Sequence, residues 1–358
     1  MITPAARPVD IAQVFPELRP LAKSATRLHP RRGEPQVRDS SIGGPLLWPA
    51  DEAWPMCRLP RLVEHKRPIT PEELREYESH MDAARARHER LLADPRIPDE
   101  ARQALGATLE ADWNRAVAEP PQVVTSGSRD VSTAADPMVS LLQLHAADAP
   151  SIAFPDGADL LQLLWCTHMH YPDDLPGSPS HYGPAPLVVW RRASDVHDVL
   201  AQVPAPAADA HEGTYLPLPC VLSPEQVVDY PDPGDLPDAL RDRVEAWSDA
   251  LEAERDLSYW ADLSTAPGWK TGGWPSWIED PYQPTCQCGA GMTLLLRIAT
   301  SEWGGRSWRP PEDRHYPGQG IEGAHVAAPT AVIVGDQGDM HLFWCPRDHR
   351  HPMQSVTQ

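Results

Sequence analysis

Short apolar runs bounded by Gly, Pro or Asp recur along the chain, and their lengths and termini predict strands. They are MVSLLQL (138–144), LLQLLWC (160–166), LVVWRR (187–192), TLLLRI (293–298), TAVIVG (330–335) and MHLFWC (340–345). The stretch 70–118 has a helical period instead. There Leu74, Tyr77, Met81, Ala84, His88 and Leu91 recur three or four residues apart, as do Ala101, Leu105, Leu109, Trp113 and Ala116. The break ADPRIPD, with Asp99 placed to cap the second segment, makes this a helical hairpin. Asp195–Val203 reads as a short helix, and Ser223 with Gln226 has the spacing of a capping box opening another. Leu236–Arg255 is a third, with Leu240, Val244, Trp247 and Leu251 on one face. Residues 203–219 and 301–329 are Pro/Gly-rich loops. The pattern predicts a β-rich α+β fold with its helices at the periphery.

The runs are not independent of one another. Residues 42–57 (IGGPLLWPADEAWPMC) align without a gap on 271–286 (TGGWPSWIEDPYQPTC) at an offset of 229. Gly43, Gly44, Trp48, Asp51, Pro55 and Cys57 match Gly272, Gly273, Trp277, Asp280, Pro284 and Cys286. Two further blocks follow in the same order. Met138, Leu141 and Leu142 match Met292, Leu295 and Leu296; Leu163, Trp165, Cys166 and His170 match Leu342, Trp344, Cys345 and His349. Ordered agreement at Trp and Cys predicts a tandem duplication of a small sheet unit, with pseudo-repeats at about 10–200 and 201–358 in one domain. Cys57 and Met138 stand 81 residues apart, but Cys286 and Met292 only 6, so the hairpin at 70–118 reads as an insertion in the first repeat.

Charge narrows the function classes. Acidic residues outnumber basic ones 51 to 31, a net charge of −20, which argues against nucleic acid and anionic membrane as partners and favours a basic protein partner. No 18 apolar residues run together, and MITPAARPVDIAQVF lacks the pattern of a signal peptide. Six cysteines in a chain of 358 residues without that signal read as reduced thiols or metal ligands in a cytoplasmic protein.

The candidate chemistry lies in those cysteines. Cys286-Gln-Cys288-Gly289 followed by Cys345 and His349 offers four soft or borderline donors, two from a tight knuckle and two from a distant turn, as zinc requires. Gly289 suits the knuckle because it tolerates positive φ. His351 is an alternative to His349. In the first half, Cys57, Cys166, His168 and His170 form a degenerate counterpart, since Leu59 stands where the second half has Cys288. The repeated Gly-Gly…Trp motif reads as a turn with a packed indole, or as an aromatic recognition groove built from Trp48, Trp274 and Trp277. No nucleophile elbow, zincin helix or EF-hand loop is present. GQGIEG at 318–323 follows RPPEDRHYP rather than a strand, so it carries no dinucleotide site.

The blocks SIGGPLLWP, WPMC, MVSLLQLHA and ADLLQLLWC, then GGWPSWIEDP, CQCG, MTLLLRI and MHLFWC, resemble the YwqG-like family of uncharacterised bacterial domains, its actinobacterial members in particular. The resemblance spans about residues 10–356. It implies a β-rich duplicated fold in a cytosolic protein and brings no assigned activity or catalytic residue. Family members often carry a C-x2-C-like pair where this chain has Cys286-Gln-Cys288. Two readings of function follow. One is a non-catalytic binding or regulatory protein, of immunity type, whose acidic surface meets a basic partner. The other is a metal-dependent hydrolase using the Cys/His zinc site.

Overall fold

The computed structural model describes residues 2–5, 7–93, 123–175, 177–206, 213–303, 307–316 and 323–358. In chain order the strands are β1 (Lys23–Arg27), β2 (Arg31–Arg32), β3 (Ser41–Ile42), β4 (Met56–Cys57), β5 (Arg61–Pro68) and β6 (Val123–Ser132). They continue with β7 (Asp136–Pro137), β8 (Val139–His145), β9 (Leu160–Trp165), β10 (Pro186–Arg191) and β11 (Cys220–Val221). The last five are β12 (Glu225–Asp229), β13 (Lys270–Gly272), β14 (Thr293–Ala299), β15 (Asp339–Trp344) and β16 (Gln354–Thr357). Three helices matter here: α1 (Ile11–Val14), α2 (Pro71–Leu92) and α3 (Asp238–Arg255). The fold is α+β. No helix among the described residues is long and apolar enough to cross a membrane.

Two compact units are formed, Met1–Arg61 with Thr133–Gln358, and Leu62–Ser132. In the smaller, β5 pairs with β6, and α2 opens on a capping box. Glu73 accepts the Thr70 N–H (2.9 Å), and the Thr70 hydroxyl accepts the Glu73 N–H (3.3 Å). The second helix expected at 101–116 lies outside the described residues.

The larger unit holds two six-stranded sheets. Sheet 1 runs β2-β11-β3-β8-β9-β10 and sheet 2 runs β12-β1-β13-β14-β15-β16, antiparallel in every named pairing. Their apolar faces meet in one buried cluster, with Leu142, Leu161, Leu163 and Trp165 from sheet 1 and Leu295, Ile298, Met340 and Leu342 from sheet 2. Five of the six expected strands form. The exception is TAVIVG. Val332 and Val334 are buried in the same cluster, but Ala331 turns at φ 57 and the run pairs with no strand. Its N–H groups go to Thr330 Oγ1, the Thr214 carbonyl and Thr300 Oγ1.

Two expected helices are also replaced. Glu225–Asp229 is strand β12, paired along its whole length with β1. Its β-branched Val227 and Val228 suit that ladder, and Glu225 is drawn to His29 Nε2 (2.6 Å). Residues 193–195 make a single 3-10 turn, after which the Leu200 N–H bonds the Trp48 carbonyl (2.8 Å) and holds the chain extended. The helix expected at 236–255 does form, as α3, burying Leu240, Val244 and Leu251 with half-buried Trp247 against Phe15.

The registers of the two sheets coincide at the residues the repeat matches. Val139 faces Trp165 and Leu142 faces Leu163 in sheet 1; Thr293 faces Trp344 and Leu296 faces Leu342 in sheet 2. Each ladder is interrupted at the same place, between Ser140 and Leu142 and between Leu294 and Leu296. Ile42 pairs with Leu142 as Thr271 pairs with Leu296. The turns that follow begin at Gly43 (φ 63) and Gly272 (φ 65). A Cβ on either would come within 2.8 Å of a backbone carbonyl oxygen, so only glycine fits.

The outer faces are also buried, but by different chemistry. In sheet 1, Gln143 and Gln162 pair across β8 and β9 and hold the returning loop: Gln143 Oε1 accepts the Leu47 N–H (2.7 Å) and Gln162 Nε2 donates to the Leu47 carbonyl (3.0 Å). At the matching positions sheet 2 carries Arg297 and His341, flanked in register by Lys270 and Arg27. All four are buried. Lys270 Nζ donates to Asp229 and to the Trp274 carbonyl (2.8 Å), while Asp229 also accepts the N–H groups of Ala266 (2.9 Å) and Trp274 (3.1 Å). Arg297 pairs with Asp339 (2.6 Å). Gly273 is required here, since a Cβ would overlap the Asp229 carboxylate.

Removing one partner of this pair strands a charge out of water. Asp229→Ala should destabilise the protein by about 3–5 kcal/mol in urea unfolding, and pairing it with Lys270→Met should restore much of that loss.

Candidate metal centre

Cys286 and Cys288 lie in a tight turn that follows from the local sequence. Thr285 and Gly291 close it as an antiparallel bridge, the Cys286 N–H bonds the Ala290 carbonyl (2.9 Å), and the Gly289 N–H bonds the Cys286 carbonyl (2.8 Å). Gly289 takes φ 79, as the knuckle reading requires. Cys345 directly follows β15. Beyond it the His351 N–H bonds the Asp348 carbonyl (3.1 Å), which turns the chain back toward β15.

These two turns bring four donors together: Cys286, Cys288, Cys345 and His351, whose ligand atoms all lie within 4.8 Å of one another. His351 Nδ1 stands 3.3 Å from Cys286 Sγ and 3.4 Å from Cys345 Sγ, and Cys288 Sγ stands 3.6 Å from Cys345 Sγ. A zinc tetrahedron has S···S edges of about 3.8 Å and S···N edges of about 3.6 Å, so the set is close to ligating geometry. The group could hold a metal ion.

His349 is a correction to the expected ligand set. It is exposed and lines a small cavity of about 200 Å³ with Trp190, Trp344 and Met353, while His351 takes its place. The reason is the turn at Asp348, which presents the sixth residue after Cys345 rather than the fourth. The sequence offered both histidines; spacing could not choose between them.

The first half holds a second group, Cys57, Cys166 and His170, again within 4.8 Å and fully buried. Cys57 ends β4, Cys166 follows β9, and His170 is fixed by a bridge to Gly183. His170 Nδ1 donates to the Pro60 carbonyl (3.1 Å), which leaves Nε2 facing Cys57 Sγ at 3.6 Å. His168 does not join them. Its Nε2 meets the Asp136 carboxylate at 3.0 Å, an ion-pair partner that the linear spacing did not reveal.

One local device is common to the knuckles. The backbone N–H two residues on donates to the sulfur at each cysteine: Leu59 to Cys57, His168 to Cys166, Cys288 to Cys286 and Arg347 to Cys345. Such bonds favour thiolate over thiol. Burial raises the Cys345 thiol, but His351 and the N–H groups of Arg347 and Asp348 outweigh it and bring it down to about 6. The Cys166 thiol donates to Cys57, lowering Cys57 to about 4 against its burial, and the shared proton holds Cys166 up. Cys220 belongs to neither group, and burial pushes it up to about 12.

The indoles expected to line a groove are engaged in packing. Trp48 (1% exposed) lies in the cluster of Trp54, Cys57 and Cys166, and Trp277 (3%) in that of Cys286, Phe343 and Cys345. Trp274 donates to the Leu21 carbonyl (2.7 Å) beneath Lys23. These three residues therefore form no shared open face. Comparison with known protein families and with curated protein sequences returned no match to the chain, so the YwqG-like resemblance rests on the sequence blocks alone.

The two histidines make separable predictions. With Co(II) as an optical probe, His351→Ala should weaken binding at the four-donor site by at least about tenfold, and His349→Ala should leave it unchanged.

Proposed function

We propose that the chain is a non-catalytic binding protein, of regulatory or immunity type, whose second half is pinned by a structural zinc ion at Cys286, Cys288, Cys345 and His351. The closed donor set carries this reading. Three thiolates and an imidazole fill a tetrahedron and leave no position for the water that a catalytic zinc keeps. The hydrolase reading is the weaker for that reason. The two sheets descend, in this reading, from a tandem duplication, which their common registers and shared interruption support. Six cysteines without a disulfide support a cytoplasmic setting.

A basic partner is favoured by charge and shape together. An open groove of about 970 Å³ is lined by Tyr182, Ile278, Glu279, Asp280, Tyr282 and Gln358. Tyr182 is 50% and Ile278 59% exposed, so apolar anchors sit beside two carboxylates on a chain of net charge −20. That combination suits a cationic segment carrying an apolar side chain.

Elemental analysis of protein purified without chelator should find zinc, and a chelator should lower its melting temperature by on the order of 10 °C. Cys286→Ser should remove both the zinc and the chelator effect. Zinc-free protein with unchanged melting would overturn the reading. An Arg-rich peptide with a central Leu should bind with salt-dependent affinity, and the double change Glu279→Lys, Asp280→Lys should abolish that binding.

A further inference from the structure

The buried group in the first half has a donor set of its own, and we propose that Cys57, Cys166 and His170 form a three-coordinate site for copper(I), distinct from the zinc site. The donors are two sulfurs and one imidazole nitrogen, all within 4.8 Å. His170 is oriented as metal-bound histidines are: its Nδ1–H is spent on the Pro60 carbonyl, and the bare Nε2 is aimed at Cys57 Sγ, 3.6 Å away. The N–H groups of Leu59 and His168 point at the two sulfurs, spreading the negative charge that two thiolates keep after binding a monovalent ion.

The coordination number follows from what surrounds the donors. Leu59 stands at the position that supplies Cys288 in the other half, and it packs against the cluster that holds both cysteines. The rest of that cluster is Leu46, Trp48, Trp54, Met138, Leu164 and Ala185, side chains that offer no firm anchor to a fourth, aqueous ligand. Of the polar groups nearby, His168 and Asp136 are engaged with each other, and Asp174 lies on the Nδ1 side of His170, 3.9 Å from that nitrogen. Zinc is almost always four-coordinate in protein sites of this closed kind, whereas copper(I) is a soft cation that thiolates select and that accepts three donors. The two halves thus present the same knuckle scaffold with four donors in one and three in the other.

The test uses the full chain under anaerobic conditions, loaded with zinc and titrated with copper(I) against a chromophoric copper(I) chelator. One copper(I) per chain should bind with zinc retained, resist excess zinc, and show two sulfurs and one nitrogen by X-ray absorption. Cys57→Ser and His170→Ala should each weaken copper(I) binding by at least about tenfold while zinc content stays unchanged. Copper(I) bound equally well by Cys57→Ser, displacement of zinc by copper, or a second zinc taken up by the wild type would overturn the proposal. If either variant fails to fold, Leu59→Cys decides. It completes the four-donor set, so the zinc content should rise by one per chain; an unchanged content refutes the site. Chain lacking zinc in the second half defeats the structural zinc reading alone, because the loss of copper(I) in Cys57→Ser is read independently of it.

Discussion

An ammonium and a carboxylate withdrawn fully from water are tolerable only when each is paired and hydrogen-bonded, and Lys270 and Asp229 meet that condition with no exposure on either side chain. Asp229 receives the Lys270 ammonium and two backbone N–H groups; Lys270 also reaches the Trp274 carbonyl. The pair therefore joins β12, β13 and the turn after β13 at one point. Gly273 is dictated by it, and the path of the chain from Trp274 to the knuckle at Cys286 starts from it. Burial pushes the Lys270 amine down to about 8, with Asp229 opposing the fall, which shows how much of its hydration has been given up.

Sheet 1 solves the same geometric problem with two amides at its centre, and its ion pair, Arg191 with Glu52, stands at the edge of that network, where Arg191 Nε donates to Gln162 Oε1 (2.8 Å). Gln143 and Gln162 occupy the positions of Arg297 and His341, and their amides satisfy both the N–H and the carbonyl of Leu47. Amides at the buried centre cost less desolvation than the fully buried charges of sheet 2. The ionic version draws in β12 through Asp229 and Glu225, and with it the satellite cluster of α1 and α3 around Tyr230 and Tyr259. The two halves thus share a ladder and differ in what their outer faces recruit.

The two candidate metal groups sit at corresponding ends of the two ladders. Cys166 and Cys345 directly follow β9 and β15, where the central strands stop, and Cys57 and Cys286 arrive from the loops that cover the outer faces. A metal there would fasten the covering loop to the ladder it covers. The donors of both groups are turned inward, among Trp277, Phe343 and Met292 or Trp48, Trp54 and Met138.

Much of this was legible in the residues themselves. The repeated blocks name the four central strands, and the cysteines that close each ladder are fixed by their place in those blocks. Five apolar runs became strands because an antiparallel ladder needs little beyond a short apolar segment with firm ends. What the chain alone left open depended on partners distant in sequence. Ser223–Gln226 has a local helix signal, but β1 supplies a ladder for Val227 and Val228, and non-local pairing outweighs a cap worth about 1 kcal/mol. His351 displaces His349 because a hydrogen bond at Asp348 sets the turn. His168 leaves the cysteines because Asp136, on a strand paired with the one carrying Cys57, lies opposite it. The sequence supplied the donor types and the ladders; the tertiary structure chose which side chains converge, since convergence is decided by turns and pairings that no local period encodes.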